Sequence, residues 1–177
     1  MFLKSIDLLA IGSLLVLCSS CGVGIRYSMT GTSTTASTIS VADFYNNADL
    51  GPANMGETFT NELKNYFVRN SSLKVVTQDA ELALEGEITT FSLTPIAPVA
   101  TGDPNAITSA SSTRLTITVK ATYINTIDDK MSFKDKTFSF YKDFPNELNI
   151  SDIEDTYVRQ VFERIINDIF NASVANW

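Results

Sequence analysis

The thiol of Cys21 stands where its chemistry could fix the chain to a lipid. It follows two small residues, Ser19 and Ser20, and an apolar run from Leu8 to Leu17, which is the order of parts in a cleavable secretory leader. The run is too short to span a bilayer, which needs about 20 apolar residues. Small side chains favour cleavage ahead of Cys21, whereas a cut ahead of Cys18 would place a bulky leucine before the scissile bond. The pattern therefore predicts acylation of Cys21.

This arrangement resembles the bacterial lipoprotein signal, in which the cysteine after the cut becomes the lipidated N-terminus. The alternative is a plain secretory signal with an incidental thiol. Two buried acyl chains, at about 0.8 kcal/mol per methylene, would anchor the protein permanently, whereas a plain signal would leave it soluble. The predicted organisation is a cleaved signal peptide over residues 1–20, a lipid-anchored flexible spacer over 21–37 and a single domain over 38–177.

The composition argues against several classes of function. The chain has no histidine and only two cysteines, and its net charge is -7. Loss of Cys18 with the leader and acylation of Cys21 would leave no thiol for a disulfide or a zinc site. The missing histidine removes the commonest metal ligand and general base. Nucleic acid is not an expected partner, because its phosphates require a basic surface. No metal and no cofactor other than the lipid on Cys21 is expected.

Paired carboxylates are the remaining candidates for acid–base chemistry. Glu85 and Glu87 lie on one face of a predicted strand and could flank a substrate, although such residues are more often a solvated strand face. Asp128-Asp129 is predicted to form a turn, and Glu154-Asp155 lies at a helix start, where the helix dipole favours acids. We therefore predict no catalytic residues.

The strand from Arg114 to Asn125 presents the most distinctive polar surface. Apolar and polar residues alternate along it, so that one face is apolar and the other carries no acid. In an acidic protein this is a locally basic, hydroxyl-rich face, suited to phosphate or sugar oxygens. An ordinary exposed face of β-forming residues is the alternative interpretation. The candidate ligand-binding residues are Arg114, Thr116, Thr118 and Lys120.

The elements that position this face follow from periodicity and capping signals. Asn54 and Glu57, and later Ser151 and Glu154, read as capping boxes, each followed by apolar residues at helical spacing. The apolar parity switches near Thr89-Thr90, and again between Phe133 and Phe138, so we expect a β-bulge at each place. The helices are expected to reach about Arg69 and Asn171, and the strands to run over 38–44, 73–76, 82–96, 114–125 and 131–142, with a loop over 99–112. This order predicts an α+β two-layer sandwich, with a mixed or mostly antiparallel sheet of four or five strands and two amphipathic helices on one face.

Short motifs across the mature chain are similar to those of the LptE family of lipopolysaccharide-assembly lipoproteins, in its Bacteroidetes form. They comprise Phe59-Thr60 with Leu63-Lys64 and Phe67, Leu73 to Val76, Glu85 to Thr89, Leu115 to Val119, and Ile169 to Asn171 with Val174 to Trp177. The resemblance implies a two-helix, one-sheet fold. It also implies a non-catalytic lipoprotein on the periplasmic side of the outer membrane. Such a protein sits in or against the LptD β-barrel and helps lipopolysaccharide reach the cell surface.

Two other functions fit the same order of elements. One is another periplasmic lipoprotein docking module, such as an activator of cell-wall synthases or a CsgG-like secretion component. The other is a carbohydrate-processing enzyme that uses Glu85 and Glu87. Co-purification of the partner distinguishes the docking functions, and replacement of Glu85 tests the enzyme.

Overall fold

The computed structural model describes residues 35–96, 112–145 and 153–174. Two helices and six strands occur in these ranges, together with two short helical turns. The helices are α1 (Met55–Asn70) and α2 (Arg159–Ser173). The strands are β1 (Thr38–Val41), β2 (Tyr45–Asn46), β3 (Lys74–Val75), β4 (Leu82–Ile96), β5 (Ser112–Asn125) and β6 (Phe133–Pro145).

The strands form one mixed sheet in the order β3-β1-β4-β5-β6, with β2 also pairing with β4. The pairings of β1 and β2 are parallel, whereas β4, β5 and β6 form an antiparallel meander. A turn over Asp129–Met131 connects β5 to β6, and the Asp128 side chain accepts a hydrogen bond from the Lys130 backbone N–H. The predicted α+β fold is confirmed. The sheet has six strands instead of four or five, because the short β2 adds a strand that the sequence pattern is too brief to reveal.

Both predicted bulges are confirmed. The register of β4 against β5 shifts between Ile88 and Thr90, and that of β5 against β6 shifts between Ala121 and Tyr123. The second shift lies in β6 between Phe133 and Lys136, where Asp135 has a positive φ of 51°. An extra residue lets each strand return its apolar side chains to the helix-facing side, which is why the parity switch in the sequence revealed it.

Helix α1 begins where the sequence predicts, but the capping box at Asn54 was a wrong prediction. The Asn54 side chain makes no capping hydrogen bond, because its backbone does not adopt the extended conformation that an N-cap needs (φ -92°, ψ 12°). Instead, the Met55 N–H donates to the Pro52 carbonyl over 3.1 Å. Farther along, buried Thr60 accepts from the Phe44 N–H at 2.9 Å and donates to the Gly56 carbonyl at 2.8 Å, which ties the helix to the sheet.

Helix α2 is preceded by a wider π-helical turn, Ile153–Val158, that the sequence pattern did not predict. The regular helix then buries seven residues on one side: Val161, Phe162, Ile165, Ile166, Ile169, Phe170 and Ser173. Phe162 stacks edge-on against Phe59 of α1 at 5.0 Å between ring centroids, and Phe170 contacts Phe67 at 5.2 Å. Both helices therefore share one core with the apolar face of β5, whose residues Leu115, Ile117, Val119, Ala121 and Tyr123 are at most 1% exposed.

Several sequence predictions lie outside the described residues. These are the signal peptide and Cys21, the spacer up to residue 34, the loop up to residue 111 and the Ser151 capping residue. At the start of the described part, Ala36 is buried and the backbone N–H of Ser37 donates to the Glu81 carboxylate. Residues 36 and 37 of the described part therefore already contact the folded domain.

Candidate functional site

The candidate residues lie on the side of the sheet opposite the helices, which we call the open face. It is formed by the outward side chains of β4, β5 and β6. Register places the four predicted residues between polar neighbours, since Thr90, Ser92 and Thr94 of β4 and Ser139, Tyr141 and Asp143 of β6 lie opposite them. Among the described residues, the β5 side chains of the open face are half-buried, whereas the β5 side chains between them are buried in the core. Strict alternation along β5 thus separates core from surface.

Arg114 marks one end of the open face. Its guanidinium donates two hydrogen bonds to Asp143, from Nε to Oδ1 at 2.7 Å and from Nη2 to Oδ2 at 2.9 Å. The same guanidinium lies over the ring of Tyr141, 3.8 Å from its centroid. The hydrogen bonds from Arg114 lower the pKa of the Asp143 carboxyl. This bidentate, stacked arrangement holds a planar cation in one orientation.

Lys120 marks the other end of the open face. Its ammonium lies 2.7 Å from Glu87 Oε1, and Glu87 also accepts a hydrogen bond from the Asn47 side chain. Those hydrogen bonds, the one from Lys120 above all, lower the pKa of Glu87. Glu85 and Asp135 border the same shallow depression of about 390 Å³. The lysine therefore lies in an acidic setting.

Between the two ends lies an uncharged strip of hydroxyl groups. The Thr118 and Ser139 hydroxyl oxygens are 3.0 Å apart and share a hydrogen bond, and Ser139 also donates to the Ile117 carbonyl at 3.3 Å. Thr116 lies between Ser92 and Tyr141 in the register. The strip comprises Thr90, Ser92, Thr94, Thr116, Thr118, Thr137 and Ser139. Hydroxyl groups can donate or accept, so the strip suits an oxygen-rich partner.

The prediction of a locally basic face was wrong. β5 itself carries no acid, but each of its two cations forms an ion pair with a carboxylate on a neighbouring strand. Arg114 and Lys120 are also six residues apart, about 20 Å along a strand, so they cannot hold one phosphate together. The open face is consequently a long, hydroxyl-rich surface with a charge pair at each end.

Glu87 lacks the property that a general acid in a carbohydrate-processing enzyme would need. A general acid needs a carboxyl with a raised pKa, and the pKa of Glu87 is lowered. Within residues 35–96, 112–145 and 153–174, no group of three or more acidic or cysteine side chains is placed to hold a metal ion.

A second concave feature lies between the helices on their outer side, and the sequence interpretation missed it. This groove of about 790 Å³ is lined by two arginines and two glutamates, Arg69, Arg159, Glu62 and Glu163, around Tyr66. Burial raises the pKa of Glu62. Because its residues come from two helices that are far apart along the sequence, no local sequence pattern could have indicated the groove.

None of the described helices is both long and apolar enough to cross a membrane. The fold matches that of several solved structures at low sequence identity. An uncharacterized lipoprotein B from Nitrosomonas europaea aligns over 84% of this chain and 88% of its own, with a TM-score of 0.53 and 11% identity. A Xanthomonas campestris protein covers 82% and 88% of the two chains, with a TM-score of 0.52 and 9% identity. A hypothetical protein from Chlamydia trachomatis covers 80% and 99%, with a TM-score of 0.50 and 11% identity. These likenesses establish a shared fold.

A comparison with curated protein sequences finds no match. The model of the LptE family, described as lipopolysaccharide assembly, matches residues 36–173. That range begins at Ala36, the first buried residue of the described part, and ends with the last residue of α2. The match thus covers the whole fold described above, and the chain belongs to the LptE family of lipopolysaccharide-assembly proteins.

Proposed function

We propose that the protein is a non-catalytic subunit that assists assembly of an LptD-type outer-membrane barrel and delivery of lipopolysaccharide to the cell surface. The observation that carries this proposal is the family match across residues 36–173. The open face is consistent with a contact role, because its polar groups already pair with one another and none is arranged as a nucleophile with its base.

In this proposal the open face binds lipopolysaccharide through Arg114, Thr116, Thr118 and Lys120. Sugar and phosphate oxygens would replace the carboxylates that pair with the two cations, while the threonine hydroxyls hydrogen-bond between them. The ion pairs are half-exposed, with side-chain exposures of 39% and 41% for Arg114 and Asp143 and 38% and 28% for Lys120 and Glu87. Exposed pairs contribute little stability, so exchanging a carboxylate for a phosphate costs the fold little.

The proposed location is the periplasmic side of the outer membrane, with a lipid on Cys21 as the anchor. In this proposal the predicted spacer over residues 21–37 sets how far from the lipid the domain can dock. Incorporation of labelled palmitate into the wild type, and its loss in Cys21→Ala, would test the anchor. Shortening the spacer is expected to impair assembly with the barrel before it affects folding.

The function is tested by affinity purification from detergent-solubilised outer membranes. Recovery of an LptD-like barrel is the expected result. Recovery of a cell-wall synthase or a secretion complex instead would refute the proposal and favour the alternative docking module. Activity on a carbohydrate that is lost in Glu85→Gln would contradict the non-catalytic role.

The candidate residues are tested by lipopolysaccharide binding to the Arg114→Ala/Lys120→Ala variant. We expect weaker binding with an unchanged circular dichroism spectrum, because the exchanged groups are on the surface. A variant with the same loss of charge elsewhere, Arg69→Ala/Lys74→Ala, is the matched control. Equal binding by both variants would remove the open face from the proposal.

A further inference from the structure

The outer edge of β6 is a long strand edge with no partner among the described residues. β6 ends the sheet and runs for 13 residues, from Phe133 to Pro145, with β5 on its inner side only. Such an edge presents a row of backbone N–H and C=O groups to which another strand can add. At the other end of the sheet, β3 has only two residues. The two edges therefore differ greatly in how much backbone they offer.

Four residues on the helix-facing side of β6 form a symmetric pattern: Lys136, Phe138, Phe140 and Lys142. Their register opposite Ala121, Val119, Ile117 and Leu115 of β5 places all four on that side of the sheet. The two lysines are exposed, Phe140 is half-buried and Phe138 is buried. Cation, ring, ring and cation therefore follow one another at every second residue of the edge, the Phe138 ring packed into the core and the Phe140 ring partly accessible, with polar Thr137, Ser139 and Tyr141 on the other side.

The two lysines of this edge form no direct ion pair with a described residue, unlike the cations of the open face, although, besides the hydrogen bond from Arg114, the charge of Lys142 helps to lower the pKa of the adjacent Asp143 carboxyl. Lys136 and Lys142 form no ion pair with any described residue, and the Lys136 ammonium lies 5.3 Å and 5.4 Å from the ring centroids of Phe133 and Phe138. Arg164 of α2 lies beside the same edge, 5.9 Å from the Phe140 ring, and is only loosely paired with Asp168 at 3.6 Å. In a chain of net charge -7, this is a local excess of positive charge at a free edge.

We propose that β6 binds an acidic strand of a partner protein by strand addition. The partner segment would read acid-x-apolar-x-apolar-x-acid, where x is small or polar. Its two acids would face Lys136 and Lys142, and its two apolar side chains would face Phe138 and Phe140, since directly opposite residues share a face. The pattern is the same in both directions, so parallel and antiparallel addition both satisfy it.

Charge favours this occupant over a second copy of the chain. Pairing β6 with its own copy would place further lysines beside Lys136 and Lys142 on the helix-facing side. The Asp143 carboxylate of that copy could not balance them, because Asp143 lies on the open face, opposite Arg114. Carboxylates on the added strand would instead pair directly with Lys136 and Lys142, which form no ion pair with a described residue. The proposal stands on the geometry of the edge and does not depend on lipopolysaccharide binding, so it can fail while the proposed function holds.

The test is binding of a synthetic peptide, Thr-Glu-Thr-Val-Thr-Val-Thr-Glu-Thr, to the full-length protein in mild detergent, followed by fluorescence anisotropy. Saturable binding is expected, with at least a ten-fold loss of affinity in Lys136→Glu/Lys142→Glu. The charge-matched control, Lys74→Glu/Lys130→Glu, is expected to bind like the wild type. A peptide N-methylated at alternate residues keeps its charge but loses the backbone donors of one edge. Two such peptides are compared, one methylated at the odd-numbered and the other at the even-numbered residues. The peptide whose methylated edge would pair with β6 is expected to bind at least ten-fold more weakly than the unmodified peptide.

Four outcomes would overturn the proposal. They are no saturable binding, equal loss in the charge-matched control, full affinity of both N-methylated peptides, and concentration-dependent dimerisation that Lys136→Glu/Lys142→Glu abolishes while the peptide fails to compete. The third would mean a purely electrostatic contact, and the fourth a second copy of the chain. If the first outcome is accompanied by binding to anionic vesicles, the edge is assigned to lipid.

Discussion

Replacing Tyr123 with phenylalanine is expected to stabilise the protein. The Tyr123 side chain is fully buried, and its hydroxyl forms no hydrogen bond with any described residue. The nearby Asn125 oxygen already accepts from the Ile127 and Asp128 N–H groups at 2.9 Å and 3.0 Å. An unsatisfied buried polar group costs about 1–3 kcal/mol, so its removal should raise the free energy of unfolding by about 1 kcal/mol. This corresponds to a rise in Tm of about 2–4 °C.

Tyr66→Phe is the matched control, because it removes the same hydroxyl from a satisfied site. The Tyr66 oxygen accepts a hydrogen bond of 2.7 Å from the Asn167 side chain. Its loss should lower the free energy of unfolding by about 1 kcal/mol. Urea unfolding of the wild type and both variants measures the two changes, which have opposite signs.

Alkaline stability provides an independent measurement on Tyr123. Burial raises its pKa from 10.0 to about 12, and the opposing effect of Asn125 is smaller. Ionisation of this phenol therefore leaves stability unchanged well below pH 10 and lowers it as the pH rises towards 12, because the unfolded chain loses the proton first. Stability should fall less steeply across this range in Tyr123→Phe. Destabilisation of Tyr123→Phe in urea, with the same alkaline slope as the wild type, would refute the reasoning and indicate a hydrogen bond to Asn125.

Three further predictions concern packing and charge. Gly86→Ala should destabilise the protein by about 1–3 kcal/mol in urea unfolding, because the added methyl group would collide with the Lys120 carbonyl oxygen and the Phe44 ring; wild-type stability would mean that β4 and β5 can separate there. Phe162→Ala should cost about 3–5 kcal/mol, and Val68→Ala, at a side chain 57% exposed, less than about 0.5 kcal/mol in the same assay; similar losses would contradict the assigned core. The carboxyls of Asp143 and Glu87 should titrate by NMR below their ordinary pKa values of 3.8 and 4.5, so their stabilising pairs persist above those values and are lost as the pH falls through the lower ones; Arg114→Ala should return Asp143 to its ordinary range, and an unshifted Asp143 in the wild type would argue against the bidentate pair.

The fold was largely predictable because its signals are local and periodic. Alternation along β5 separated core from surface correctly, and the two changes of parity located both bulges. Capping was predicted less well, since a side chain caps a helix only where the backbone conformation allows it, and Asn54 lies in another conformation. The two-residue β2 carries too little pattern to reveal itself, and its pairing depends on the neighbouring β4.

The sequence alone determined which residues share a face. Successive side chains of a strand point to opposite faces, so Arg114, Thr116, Thr118 and Lys120 of β5 lie on the same face of the sheet. This follows from backbone geometry and does not depend on the neighbouring strands. Only the tertiary structure decided whether the charges on that face are neutralised by neighbouring side chains. Register brings Glu87 and Asp143 beside the two cations, while it leaves Lys136 and Lys142 without a direct ion pair to any described residue. Charge compensation depends on distances between strands that are far apart along the chain, and no pattern within one strand contains that information.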